Sequence, residues 1–197
     1  MTLAQPIPSI TFETLEQQGG VLLQGVFSPE AVEKLAHQLD PLLAQFRDSA
    51  SIRNREGVVY AARNVLQLFP DVVSVCHTSA IQSFLKSVLG ENCGLVRVLF
   101  FDKPPGQTWA LPWHKDITIA VRPPETIPSE AEPNWSRIRI KAGVPHVEAD
   151  EATLSRMLTL RIHLDPACSE NGALAVSPGS HRAGKQLELD AQRELVI

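Results

Sequence analysis

The sequence predicts an α+β fold, an N-terminal helical layer followed by short strands in a sandwich or barrel of jelly-roll type. Two observations predict it. Residues 1–93 carry helical periodicity with good cap chemistry, whereas residues 94–197 carry short alternating or β-branched runs separated by Gly/Pro turns. The 197 residues, 44% hydrophobic and 20% charged, suffice for one sizeable core and fit a single domain spanning 1–197.

In chain order, "GGVLLQGVF" (19–27) reads as a strand. "SPEAVEKLAHQLDPLLAQF" then opens a helix, with Ser28 as N-cap and Pro29 in the first turn. Val32, Leu35, Ala36, Leu39, Leu43 and Phe46 recur at helical spacing and predict one buried stripe. Pro41 is expected to end or kink this helix, with Asp40 capping a second short one. Residues 70–90 form a second helical region stopped by Gly90. "GLVRVLFF" (94–101) is a strand, "KPPGQ" (103–107) a turn, and "RPPETIPSEAEPNWS" (122–136) a Pro-rich loop. "MLTLRIHLD" (157–165) alternates as a strand should. "ALAVS" (173–177) is a further short strand before the turn "PGSH" (178–181), and "KQLELDAQRELVI" (185–197) reads as charged and helical.

Charge excludes some roles. Lys and Arg number 18 against 22 Asp and Glu, so the net charge of −4 argues against a nucleic-acid binder. No apolar run approaches the roughly 20 residues needed to cross a bilayer, and the first residues lack the regions of a signal peptide, so no membrane role is expected. Cys76, Cys93 and Cys168 are widely spaced and odd in number. They predict neither a disulfide framework nor a zinc ribbon, but a reducing cytoplasm and three small buried residues.

Chemistry concentrates in "ALPWHKDITIAV" (110–121). Residues two apart on a strand share a face, so His114, Asp116, Thr118 and Ala120 lie together, opposite Lys115, Ile117, Ile119 and Val121. An imidazole and a carboxylate so placed make a chelate like that of the two-His-one-carboxylate triad of non-haem iron(II). A His–Asp hydrogen bond on a half-buried strand would use the same spacing.

"VLFFDKPPGQTWALPWHKDITIAV" and "LRIHLDPACSENGALAVSPGSHRAG" together resemble the phytanoyl-CoA dioxygenase (PhyH-like) family from about residue 20 onward. The landmarks are Lys103-Pro104-Pro105-Gly106, Trp113-His114-Lys115-Asp116, Leu164-Asp165, Glu170-Asn171-Gly172 and Ser177-Pro178-Gly179-Ser180-His181. The resemblance implies a double-stranded β-helix and an oxygenase using Fe(II) and 2-oxoglutarate, with ascorbate as reductant, to hydroxylate a small-molecule substrate. It also implies that His114 and Asp116 hold the iron.

The family's second metal histidine lies tens of residues beyond the "PGSH" turn, in a segment resembling "LLxHGS", with a 2-oxoglutarate-binding arginine about ten residues later. Neither occurs within these 197 residues. The expectation is a chain lacking the C-terminal part of the enzyme, with open sheet edges that favour a homodimer. His181 or His163 completing the site, or an inactive jelly-roll remnant or binding module, are the alternatives. Arg193 follows His181 by twelve residues, but in polar, helical surroundings.

Several cations are candidates for a 2-oxoglutarate or substrate carboxylate. Arg97 stands among apolar neighbours of its strand, where binding an anion competes with snorkelling or pairing with Asp102. Lys103 precedes the Pro-Pro-Gly turn, and Arg161 shares a polar face with Thr159, His163 and Asp165. Thr118 shares the chelate face. Trp109 and Trp113 bracket the motif as walls that exclude water. His146, after the Pro-rich loop, either faces the substrate or lies on the surface, and His37 and His77 are structural.

Overall fold

Ser28 opens the longest helix: its Oγ accepts the Ala31 N–H (3.3 Å), and Pro29 occupies the first turn, where a missing N–H costs nothing. The computed structural model describes residues 10–104, 111–122, 136–186 and 195–196. In it this helix (α2, Pro29–Gln45) runs unbroken through Pro41, correcting the expected stop there. Proline removes one helical hydrogen bond. Leu39 and Leu43 on either side of it are both buried, and their packing holds the turn in place.

Residues 19–27 are loop rather than strand. Gly19 and Gly25 adopt φ of +77° and +69°, which breaks extended backbone, and Leu22 is more than half exposed. A short helix (α1, Ile10–Gln18) that the sequence did not predict precedes them.

Behind α2 stands a three-stranded antiparallel sheet of β1 (Ile52–Arg55), β2 (Val58–Ala62) and β3 (Phe100–Phe101), in that order. The β1–β2 hairpin turns on Glu56 and Gly57, both with positive φ (53° and 83°), the form that matches strand twist. This sheet draws on a stretch expected to be mainly helical. Of the run 94–101 only the last two residues pair, so the expected strand is much shortened. Leu39, Leu43, Ile52, Ala62 and Val65 form the buried core between α2 and this sheet.

The chain continues through α3 (Val65–Leu68), a 3-10 turn (Pro70–Val72), α4 (Val73–Cys76) and α5 (Ser79–Leu89). The helical region expected over 70–90 is therefore in pieces. Thr78 restarts it by accepting the Ile81 N–H, and Gly90 ends it at φ 90°.

A second antiparallel sheet carries β4 (Thr118–Ala120), β5 (Ser136–Lys141) and β6 (Val144–Glu148) in the order β4-β6-β5. Ala142 and Gly143, at φ 50° and 78°, make a two-residue hairpin between β5 and β6. Asn64 Nδ2 donates to the Ala142 carbonyl (3.1 Å) and ties this hairpin to the first sheet. After α6 (Glu151–Leu154), residues 157–165 run without a ladder, correcting the strand expected there. Alternation alone cannot make a strand where no neighbour supplies hydrogen bonds. A third pair joins β7 (Ala175–Val176) to β8 (Leu195–Val196), so the described end of the segment read as helical is a strand.

Helices and antiparallel sheets together make the chain α+β. The three cysteines are free, and Cys168 is exposed rather than buried. No described helix is long and apolar enough to cross a membrane. Pro105, Gly106, Trp109, most of the Pro-rich loop and Arg193 lie outside the described residues.

Candidate functional site

Strand pairing decides which side chains meet. Thr118 pairs with Glu148 and Ala120 with His146, while Arg139 pairs with His146 and Lys141 with Val144. Directly opposed residues share a face. Thr118, Arg139, Lys141, His146 and Glu148 therefore stand on one side of the second sheet, and Val147 and Ala149 are buried on the other.

Ala149 N–H donates to the Ile117 carbonyl (2.9 Å), extending the pairing one residue before β4. Alternation then places Asp116 on the face of Thr118. A cavity of about 320 Å³ opens there, and His114, Asp116, Thr118, Lys141, His146 and Glu148 are among its lining residues. Both His114 and Asp116 are exposed. His114 Nδ1 lies 2.8 Å from the Pro112 carbonyl. Donation from Nδ1 leaves the Nε2 lone pair outward, the tautomer a metal ligand needs.

Lys115, between them, also lines the cavity, but its charged end is engaged by a later turn. Its ammonium donates to the carbonyls of Ser180 (2.8 Å) and Gly184. The same turn is held by α1, since Gly179 N–H donates to Gln18 O (2.8 Å) and Arg182 Nη2 to Glu16 O (3.0 Å). On the other side Lys185 pairs with Glu148 at 3.0 Å. One turn thus ties α1, the His114–Asp116 segment and β6 together. Replacing Lys115 with methionine is expected to cost about 1.5–3 kcal/mol, the range for hydrogen bonds to a charged group. Urea unfolding reads this directly, and an unchanged midpoint would mean that the α1 contacts hold the turn alone.

Electrostatics set the cavity apart. Lys141 Nζ donates to Thr118 Oγ1 (2.8 Å). Burial depresses its pKa, Arg63, Arg97 and Arg139 depress it further, and Asp116 opposes them. His146 is buried, with Nδ1 2.9 Å from the Val144 carbonyl and Nε2 3.4 Å from Arg97 Nη1. Burial lowers its pKa first and the charges of Lys141, Arg97 and Arg63 add to this, so the ring is neutral, donating at Nδ1 and accepting at Nε2.

The other sequence candidates are dispersed. Arg97 reaches the cavity only through His146, and Asp102 is not the partner found for it. Lys103 Nζ donates to the Gly172 carbonyl (2.6 Å), and Arg161 is exposed; neither lines the cavity. His181 Nε2 lies 3.1 Å from the Glu16 carbonyl, its ring against Gly19, and it does not line the cavity of His114 and Asp116. His163 lines a separate cavity of about 500 Å³ with His37, Asp40 and Asp165. Trp113 is exposed. Among the described residues no three His, Cys, Asp or Glu side chains converge as a metal site.

Arg139, Lys141 and Glu148 were not anticipated. "RIRIK", "AG" and "VPHVE" carried the signal, two alternating runs around a two-residue turn that puts them beside His146.

A search of curated proteins and a search of solved structures return no match. The family model for phytanoyl-CoA dioxygenase (PhyH) matches residues 15–194, a span that takes in both main sheets and the His114–Asp116 segment. This chain belongs to the phytanoyl-CoA dioxygenase (PhyH) family.

Proposed function

We propose that this chain is an Fe(II)- and 2-oxoglutarate-dependent oxygenase that hydroxylates a small organic substrate on a double-stranded β-helix scaffold. Family membership supports the reaction class. The observation that carries the reading to particular residues is that His114 and Asp116 line one cavity on a single extended segment.

The donors fit the metal in part. One imidazole and one carboxylate are two arms of a facial triad, and the third arm is not among the described residues. His114 would bind through Nε2, oriented by the Pro112 carbonyl, and Asp116 through its carboxylate. When bound, iron supplies the oxygen activation that couples conversion of 2-oxoglutarate to succinate and carbon dioxide with hydroxylation. The chain's own residues bind and orient. Thr118, held by Lys141, offers a polar contact beside Asp116, and the neutral His146 offers no proton-accepting nitrogen that Arg97 does not already occupy.

Succinate release from 2-oxoglutarate with Fe(II) and ascorbate tests this. Release that stops on chelation and returns with Fe(II) is the expected result; equal release with and without chelator removes the oxygenase reading. The incomplete donor set favours one second reading, a binding module without turnover. That reading predicts a melting shift on metal addition with no succinate formed.

A further inference from the structure

The cavity beside Asp116 carries more positive charge than the protein offsets. Arg139 and Lys141 form part of its wall, Arg97 approaches through His146, and Arg63 is near enough to act on both Lys141 and His146. None of these four cations forms an ion pair among the described residues. Of the two lining carboxylates, Glu148 is engaged by Lys185, which leaves Asp116 as the counter-charge. Once Asp116 serves a metal, even that charge is spent.

Clustered cations raise one another's energy unless an anion joins them. Such uncompensated charge in a concave site concentrates anionic ligands. A 2-oxo acid that chelates a metal leaves one carboxylate free, and a single cation satisfies it. Four exceed that need.

We propose that the Arg139 and Lys141 wall, with Arg97 behind it at His146, binds an anionic group on the molecule to be oxidised, so that the substrate is a small organic acid, a carboxylate or a phosphate monoester. This rests on the oxygenase reading. Phenylacetate, phenyl phosphate and the neutral phenylacetamide are the probes, titrated calorimetrically into the full chain. Each is measured first without metal and then with Mn(II) and saturating 2-oxoglutarate.

Both anions are expected to bind in both conditions, with the amide at least about tenfold weaker, the factor that one charge-assisted contact provides. Whichever of the two anions binds more tightly identifies the acid group. The double variant Arg139→Gln/Lys141→Gln should lose about tenfold or more for the anions. Arg139 is exposed and Lys141 half-exposed, so neither substitution empties the core, and an unchanged urea midpoint confirms that the double variant is folded. Arg53→Gln, on an exposed arginine of β1, should bind as the parent does.

Three results would overturn the proposal. The amide matches the acids, the double variant binds normally, or saturating 2-oxoglutarate with Mn(II) abolishes anion binding, assigning the cations to the co-substrate. Intact anion binding in a protein that forms no succinate from 2-oxoglutarate with Fe(II) would sink the oxygenase reading while supporting the anion wall.

Discussion

Asp116→Asn is expected to lower succinate release by about a hundredfold or more, since changes merely next to a metal ligand already cost up to that factor. Asparagine keeps the shape of the side chain and removes its charge. The substitution therefore separates a ligand from a structural carboxylate. Asp116 is exposed and its side chain makes no hydrogen bond or ion pair among the described residues, so the unfolding midpoint without metal should stay close to the parent's. The melting shift on adding Fe(II) or Mn(II) should vanish. A variant that keeps the metal-induced shift would show that Asp116 is not a ligand. Lys141 supplies a second readout. Asp116 holds its pKa up against three arginines, so losing that carboxylate should push it further down.

Leu43→Ala is expected to destabilise the fold by about 2–5 kcal/mol, the range for emptying a packed leucine site. Leu43 is 2% exposed and belongs to the core with Leu39, Ile52, Ala62 and Val65. These residues belong to α2, β1, β2 and α3, so the cavity would open where helix meets sheet. Urea unfolding should show a lower midpoint with an unchanged slope. A loss below about 1 kcal/mol would mean that the helix can collapse onto the sheet and close the gap.

Local signals were legible and partnerships were not. Ser28 and Pro29 announced α2 because a cap and a first-turn proline act within four residues. Thr78 and Gly90 are of the same kind, although only Gly90 was read. Pro41 misled because its local cost is plain in sequence, while the burial of Leu39 and Leu43 that offsets it is tertiary. The 157–165 run has the period of a strand, yet a ladder needs a neighbour, and sequence does not name one. Pro145 concealed β6 for the opposite reason: a proline argues against a central strand, and here β6 lies between β4 and β5.

At the site, His114 and Asp116 line one cavity, as the shared-face reading expects, but both precede β4 rather than lying on a strand, because the pairing with β6 begins only at residue 117. Lys141, beside Thr118, was not readable, because 23 residues separate them in the chain. Arg97 was noticed for standing among apolar residues, but its proximity to His146, 49 positions away, could come only from the fold.

The turn at 177–186 has a consequence for how the protein comes into being. Lys115 meets Ser180 across 65 positions, and Arg182 meets Glu16 across 166. Closures of that span are slow relative to helix formation. On a ribosome, His114 and Asp116 would emerge well before the backbone that anchors Lys115 between them. If the proposed metal reading holds, a cation offered early would meet a loose pair of side chains, set in place only when the late turn docks onto the first helix.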